Sequence, residues 1–298
     1  MDLWQLKIFC KVVELKSFSK AGKSVYLSQP TVSSHIKDLE DHFGCRLIDR
    51  LSKQAVPTKA GELLYDYARK ILALSDETDA ALAEFNGKIK GKLHIGGSTI
   101  PGGYLLPQII GAFTAQYPEV IISLIVEDTE KIINEVLTGH LELALVGAKS
   151  KEKKILQETL LEDELRLIVP VNHKWAGKNA IPVGALFTEP FIVREQGSGT
   201  LASIQLSLAK KGFGIENFQI AAELGSTEAI RQGIKNNVGV SILSTLAVSE
   251  DLEAGRLKAL AVEGLNLKRH FFLTRHKHRS LSPVSREFIK FLRKEFQK

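Results

Sequence analysis

The sequence predicts a multidomain protein in which a small, mainly α-helical domain precedes a larger two-lobed α/β domain. Three observations lead to this prediction. The chain has 298 residues, too many for one ordinary hydrophobic core. Apolar residues recur at helical spacing in the first part of the chain, whereas β-rich runs alternate with helical runs from residue 91 onward. Hydrophobic residues make up 44% of the chain, so every region has enough apolar surface to fold.

The first segment is predicted to form three helices. Apolar residues share one face of a helix over roughly residues 3–15. Ser19 is placed to cap a second helix that ends near residue 26, and Ser28 is placed to cap a third that ends near residue 42. Two short capped helices that follow a longer one, with a tight turn between them, are typical of a helix-turn-helix.

A hairpin and a long helix are predicted next. Residues 45–48 and 55–57 have the pattern of two short strands, which would form a wing beside the helices. From Thr58 to Phe85 apolar residues follow alternating three- and four-residue steps. Such a helix either pairs with another copy of the chain or packs on its own domain, and the pattern favours pairing. The predicted seam contains Leu64, Ala68, Ile71, Ser75, Thr78, Leu82 and Phe85.

The remainder of the chain has the alternating pattern of an α/β fold. Strands separated by helices are typical of parallel sheets with crossover connections, and two such sets would form two lobes with a cleft between them. Strands are predicted at 93–97, 120–126, 141–146, 165–171, 190–193, 218–222, 238–242 and 270–274. Helices are predicted at 104–116, 130–137, 201–211, 227–234 and 283–296.

Charge and cysteine content narrow the functional class. The formal net charge is +6, which favours an acidic partner. Residues 1–60 carry ten Lys or Arg against six Asp or Glu, so the positive charge is densest in the first domain. The two cysteines are Cys10 and Cys45, which excludes a disulfide switch in residues 91–298. Cys10 is expected to be a small core residue.

Targeting and catalytic motifs are absent from the sequence. Lys7 and Lys11 interrupt the first apolar stretch, and neither a secretory leader nor a membrane span tolerates charges at such positions. A cytoplasmic location is therefore expected. GxSxG, GxxxxGK[ST], HExxH and a helix-opening GxGxxG do not occur. The run from His276 to His278 lacks paired ligand spacing and is expected to be a solvated basic loop. We therefore predict no catalytic residue, no metal site and no cofactor.

The combined pattern resembles the LysR-type transcriptional regulators. The start of the second domain, including Tyr117-Pro118-Glu119-Val120, is similar to members linked to sulfur or selenium metabolism and to carbon fixation. The resemblance implies a winged helix-turn-helix with a long linker helix, followed by a two-lobed α/β effector domain like that of periplasmic binding proteins. It rests on Ser17-Phe18-Ser19-Lys20-Ala21, Leu27-Ser28-Gln29-Pro30-Thr31-Val32-Ser33, Leu39-Glu40, Phe43-Gly44, Leu47, Arg50 and Thr58-Lys59-Ala60-Gly61.

The resemblance also implies how the chain is divided. The DNA-binding domain is expected at 1–58, the linker or dimerisation helix at 59–88 and the effector domain at 91–298. Within the effector domain, lobe I is expected at about 91–162 and 268–298, and lobe II at about 163–267.

The DNA-reading residues are predicted from the geometry of a recognition helix, whose first turns face base edges in the major groove. In this sequence those turns present Gln29, Pro30, Thr31 and Ser33. Gln29 suits a two-pronged contact with adenine, whereas Pro30 and Thr31 suit the methyl group of thymine. Contacts with phosphates or the minor groove are predicted for Ser34, Lys37, Arg50 and Lys53.

An effector site is predicted where strand ends meet helix N-termini, because unpaired N–H groups attract anions there. One such place follows the strand at 93–97 and another follows the strand at 190–193. The alternative for each hydroxyl residue is simply a helix cap. The predicted effector-binding residues are Ser98, Thr99, Ile100, Thr129, Gly147, Ser198, Gly199, Thr200 and Ser226.

The expected partners follow from this assignment. Pairing through the linker helix would place two recognition helices on an interrupted inverted repeat in promoter DNA. The resemblance implies a homodimer or homotetramer and contact with RNA polymerase, with no membrane involved. The expected function is that of a sequence-specific regulator controlled by a small anionic effector. An architectural DNA-binding protein with no effector is the alternative.

Overall fold

The computed structural model describes residues 1–51, 54–85 and 88–296. The chain forms two compact units, one covering residues 1–91 and the other residues 92–298. Within the described residues, no helix combines the length and the apolar character that crossing a membrane requires.

The first unit begins with three capped helices, and they are α1 (Leu3–Leu15), α2 (Phe18–Ser24) and α3 (Gln29–Phe43). Asp2 caps α1, and Ser28 caps α3 as predicted. Ser19 does not cap α2, because Ser17 accepts the N–H of Lys20 and starts that helix two residues earlier.

A two-stranded hairpin follows, with β1 (Ile48–Leu51) antiparallel to β2 (Gln54–Pro57). The first strand begins three residues later than the predicted start at residue 45. The cause is Glu40, whose carboxylate accepts the N–H groups of Leu47 at 2.8 Å and Ile48 at 3.2 Å. These bonds hold the segment before β1 in a loop that closes over the end of α3.

The long helix α4 (Lys59–Phe85) uses part of its apolar surface within its own unit. Ala68 is completely buried against Leu6 and Cys10 of α1. Ala68 is therefore unavailable to a second copy, which corrects that part of the predicted seam. The side chain of Phe85 lies outside the described part of the structure. Four large apolar side chains on α4 are more than half exposed, and they are Leu63, Tyr67, Leu74 and Leu82.

The two cysteines differ in a way that predicts their reactivity. Cys10 is buried, as expected from the sequence, and burial raises the pKa of its thiol to about 12. Cys45 is exposed. Because the thiolate is the reactive form, we expect one thiol to react with Ellman's reagent at pH 8 in the native protein and two in guanidinium. Two fast-reacting thiols in the native protein would contradict the packing of α1 on α4.

The first lobe of the second unit consists of a β-sheet and the helices that pack against it. Its elements are β3 (Gly91–Ser98), α5 (Leu106–Gln116), β4 (Val120–Glu127), α6 (Thr129–Leu137), β5 (Leu143–Val146) and α10 (Pro283–Phe296). β3 and β5 are parallel, as the alternation of strands and helices predicts. Helix α10 packs Phe288 edge-on against Phe113 of α5, with ring centroids 5.0 Å apart.

Long strands connect the first lobe to the second. β6 (Ile155–Pro170) pairs antiparallel with β12 (Lys268–His276) along its first part and with β11 (Leu257–Glu263) near its end. The apolar pattern of the sequence predicts only the part of β6 from Leu165 onward, and it does not predict β11. The first half of β6 is partly exposed and carries the carboxylates of Glu158 and Glu162, so it lacks the apolar run of a buried strand.

The second lobe repeats the parallel arrangement. Its further elements are β7 (Ala180–Pro182), β8 (Pro190–Arg194), α7 (Gly199–Ala209), β9 (Gln219–Leu224), α8 (Thr227–Lys235), β10 (Ser241–Ser244) and α9 (Ser249–Glu253). β8 is parallel to β9, and Phe191 of β8 forms a parallel bridge with Val240, just before β10. The strand order β4-β3-β5-β12-β6-β11-β7 joins both lobes in one connected sheet system, with β10 beside β6.

Candidate effector cavity and DNA-reading surface

The start of α3 presents three of the predicted base-reading residues to solvent. Gln29, Pro30 and Thr31 are exposed in its first turn. The side-chain amide of Gln29 donates to Ser33 Oγ at 2.8 Å. This bond orients the amide and leaves its carbonyl oxygen and second N–H for a base edge. Ser28 Oγ and Thr31 Oγ1 are 2.7 Å apart, so Thr31 is held in the same turn.

The predicted phosphate contacts are only partly described. Ser34 and Lys37 are exposed on α3. Arg50 belongs to β1, and only its backbone is described. Lys53 lies outside the described residues. The DNA-contacting role of all these residues stays a prediction.

Eight of the nine predicted effector residues line one cavity in the second unit, which we call the arginine cavity. It contains about 190 Å³ of empty space, counting its open mouth. The ninth, Ser226, does not line it and instead caps α8 by accepting the N–H of Ala229 at 3.1 Å. The cavity is lined by Ser98, Thr99, Ile100, Thr129, Gly147, Arg194, Ser198, Gly199, Thr200 and Arg269.

The parallel strands bring these residues together. The ends of β3 and β5 deliver Ser98 and Gly147 from the first lobe, and β8 ends at Arg194 in the second. Thr129 is the first residue of α6, and Gly199 is the first residue of α7. Two helix N-termini, with their unpaired N–H groups, therefore meet at the cavity.

Arg269 is a cavity residue that the sequence analysis missed. It lies on β12, is 8% exposed, and donates from Nε to Asp163 Oδ2 at 2.7 Å and from Nη1 to Thr200 Oγ1 at 3.1 Å. Its Nη2 is buried with no hydrogen-bond partner among the described residues. Burial lowers the pKa of this guanidinium, Asp163 opposes that effect, and repulsion from Arg194 adds to it. Arg269 therefore has buried N–H groups that have no acceptor among the described residues.

Arg194, also missed from the sequence, is more completely engaged. Its Nη1 donates to Thr227 Oγ1 at 3.0 Å, and its Nη2 donates to Thr99 Oγ1 at 3.1 Å. Glu195 accepts from Nε at 2.7 Å and from Nη2 at 2.6 Å. Since Thr99 follows β3 and Thr227 begins α8, Arg194 ties the first lobe to the second.

The hydroxyl groups of the cavity are arranged as donors. Ser98 Oγ accepts from the N–H of Gly147, and Ser198 Oγ accepts from the N–H of Leu201. Thr99 and Thr200 accept from the arginines, and Thr129 Oγ1 is buried with no partner among the described residues. A hydroxyl that accepts one hydrogen bond keeps its own proton for another acceptor. The cavity thus offers hydroxyl protons, guanidinium N–H groups and helix N-termini, all of which suit an anion.

A signal for the two arginines existed but was incomplete. Arg194 is the last residue of an apolar strand, and the ends of such strands are where ligand-binding residues are expected. Arg269 alternates with exposed Lys268 and His270, so it faces inward while they face water. Its partner Asp163 is 106 positions away, and one sequence does not reveal that pairing.

Gly199 marks a close approach of the two lobes, and this leads to a prediction. A Cβ at this position would lie 2.7 Å from Thr129 Oγ1 and 3.3 Å from the carbonyl carbon of Gly147. We expect Gly199→Ala to force the lobes apart and to weaken small-anion binding at least about tenfold, which titration calorimetry would measure. The control is Gly184→Ala, where a Cβ meets nothing within 4 Å. Equal binding by both variants would show that this approach is unimportant.

The described residues contain no group of three or more histidine, cysteine or carboxylate side chains that could hold a metal ion.

Comparison with protein families identifies the chain. Residues 3–62 match the bacterial regulatory helix-turn-helix protein, lysR family, and residues 86–297 match the LysR substrate binding domain. The chain is a LysR-type transcriptional regulator. The predicted family and fold class are thereby confirmed, and the two units are its DNA-binding and effector-binding parts. Its fold is the expected helix-turn-helix followed by a two-lobed α/β domain.

Relatives of this LysR-type regulator include proteins linked to carbon fixation. A "Probable RuBisCO transcriptional regulator" from Cyanophora paradoxa is 34% identical over 292 residues, which cover 96% of this chain and 90% of that protein. The regulatory domain of Synechocystis PCC6803 CcmR, solved in complex with 2-PG, is 28% identical with a TM-score of 0.64. The match covers 70% of this chain and 98% of that one. CbnR, at 19% identity and a TM-score of 0.75 over all of both chains, shares the fold.

Proposed function

We propose that this LysR-type regulator controls carbon-fixation genes and that a small organic anion bound in the arginine cavity is its effector. The gene assignment is supported by relatives named as RuBisCO regulators that align over nearly the whole chain. The ligand class is supported by the related CcmR domain, which was solved with 2-PG.

The observation that carries the anion proposal is the buried, unpartnered Nη2 of Arg269. A buried donor with no acceptor costs free energy, which an anionic ligand would recover. Thr129 Oγ1 is in the same situation at the N-terminus of α6. The empty space of about 190 Å³ includes the open mouth of the cavity, so a compact acid is a better candidate than a nucleotide.

Thermal melting of the full chain tests the anion proposal. The probes for this test are 2-phosphoglycolate, glycolate and glycerol, each at constant ionic strength. Ligand at a hundred times its dissociation constant should stabilise the protein by about 2.7 kcal/mol, so the acids should raise the melting temperature and glycerol should not. Thr129→Val should reduce the shift. Thr114→Val is the matched control, because that hydroxyl bonds only within α5. No shift with any acid would favour the architectural alternative.

Gln29 is proposed as the main base-reading residue, with Pro30, Thr31 and Ser33 beside it. We expect Gln29→Ala to lower affinity for the preferred site by about 1–3 kcal/mol and to relax selectivity at one base pair. Selection from a random DNA library, followed by fluorescence anisotropy, measures both effects. Gln205→Ala, exposed on α7, is the control. A uniform loss across all sequences would instead mark Gln29 as a phosphate contact.

The remaining assignments complete the proposal. Two copies would pair through the exposed apolar residues of α4, which are Leu63, Tyr67, Leu74 and Leu82. This pairing would place two α3 helices on an interrupted inverted repeat, and RNA polymerase would be the downstream partner. The regulator would act in the cytoplasm as a homodimer or homotetramer and would not be an enzyme. Ser34, Lys37, Arg50 and Lys53 would supply phosphate or minor-groove contacts.

A further inference from the structure

Glu195 occupies a two-donor edge of Arg194, one of the residues that line the arginine cavity. Its carboxylate accepts from Nε at 2.7 Å and from Nη2 at 2.6 Å. Arginine binds carboxylates and phosphates through this kind of two-point contact. While Glu195 remains there, the charge of Arg194 is already matched and one of its edges is unavailable.

The two carboxylates that match the cavity arginines differ in their freedom to leave. The side chain of Asp163 is 1% exposed and is held by both Arg269 and Ser244, whose Oγ donates at 2.6 Å. The side chain of Glu195 is 25% exposed and has only Arg194 as a described ion-pair partner. Displacing Asp163 would leave a buried charge unpaired, whereas displacing Glu195 returns a carboxylate to water.

We infer that Glu195 is an internal competitor of the effector and that the effector carries two acidic groups. One acidic group accepts hydrogen bonds from the unpaired N–H groups of Arg269. The other replaces the carboxylate of Glu195 on Arg194. This inference rests on the proposed function. A ligand with one acidic group can bind Arg269 while Glu195 stays on Arg194, so Glu195 does not compete with it. A ligand with two acidic groups can form ion pairs with both arginines only when Glu195 leaves Arg194.

The position of Arg194 gives this exchange a consequence for the fold. Arg194 donates to Thr99 at the end of β3 and to Thr227 at the start of α8. The exchange of Glu195 for a ligand group therefore takes place at a side chain that joins the two lobes.

Titration calorimetry on the full chain tests the inference with 2-phosphoglycolate, which has two acidic groups, and ethyl phosphate, which has one. In Glu195→Gln we expect 2-phosphoglycolate to bind about tenfold more tightly and ethyl phosphate to change less than about threefold. Glu195→Asp keeps the charge but cannot reach Arg194 at two points, so it should resemble Glu195→Gln. Glu263→Gln, exposed on β11, is the control and should resemble the wild type.

Each other outcome overturns the inference in a recognisable way. If 2-phosphoglycolate binds and Glu195→Gln affects both ligands equally or neither, Glu195 is not displaced, while the proposed function stands. A gain in Glu195→Gln that is absent from Glu195→Asp would show that charge at a distance is responsible, not competition for Arg194. If the wild type binds neither ligand, the proposed anion effector fails, and this inference fails with it.

Discussion

Replacing Arg269 by methionine is expected to lower the free energy of unfolding of the effector-binding unit by about 3–5 kcal/mol. The substitution leaves the carboxylate of Asp163, whose side chain is 1% exposed, without its ionic partner. It also removes the unpartnered guanidinium N–H groups, so the affinity for 2-phosphoglycolate should fall roughly 30- to 150-fold. Urea unfolding can be followed by the fluorescence of Trp175, which is buried in the second lobe, after Trp4→Phe removes the other tryptophan.

A double substitution separates the two effects of Arg269. Arg269→Met combined with Asp163→Asn removes both charges and keeps an acceptor for Ser244. We expect this pair to recover about 2 kcal/mol or more of the lost stability, since no buried charge remains unpaired. Anion affinity should stay low. If the double variant binds 2-phosphoglycolate as tightly as the wild type, Arg269 is a structural residue only.

Gly61→Ala is expected to have the second largest effect, and that effect should be confined to the DNA-binding unit. A Cβ on Gly61 would overlap the carbonyl oxygen of Leu47 and would lie 3.2 Å from Cβ of Pro57. The overlapped atom belongs to the backbone, so α4 must shift away from the loop before β1. We expect a loss of about 3 kcal/mol, at the upper end of ordinary overpacking.

Hydrogen–deuterium exchange and binding assays locate this effect. Protection should fall in α1 to α4, and DNA affinity should fall with it, while 2-phosphoglycolate binding is unchanged. Gly111→Ala is the matched control, since a Cβ there meets nothing within 4 Å. In the middle of α5, alanine should stabilise the helix by about 0.5–1 kcal/mol. Equal exchange in Gly61→Ala and the wild type would contradict the described packing.

Local signals explain what the sequence could predict. Ser28 caps α3 because a hydroxyl precedes Gln29 and Pro30, and no distant contact is needed to see this. Ser98 and Thr200 were located for a similar reason, because each lies where an apolar strand gives way to small and hydroxyl residues. Strand ends and helix starts are properties of neighbouring residues, and in α/β folds they converge on one edge.

The features that sequence could not predict depend on distant partners. Arg269 faces the cavity because Asp163, far away in the chain, balances its charge. The first half of β6 is a strand because β12 pairs with it, although its own residues are partly exposed. The periodicity of α4 identified an apolar surface but could not show that Ala68 packs on α1.

Under the proposed function, an anion in the arginine cavity changes how this regulator binds DNA. Its most direct test is fluorescence anisotropy of the full chain on DNA recovered by selection, with and without 2-phosphoglycolate at constant ionic strength. The same titration is run on the double variant Arg269→Met with Asp163→Asn. We expect the anion to change the DNA affinity of the wild type and to leave that of the double variant unchanged. An equal change in both proteins, or no change in a wild type that binds the anion, would contradict control of DNA binding through the arginine cavity.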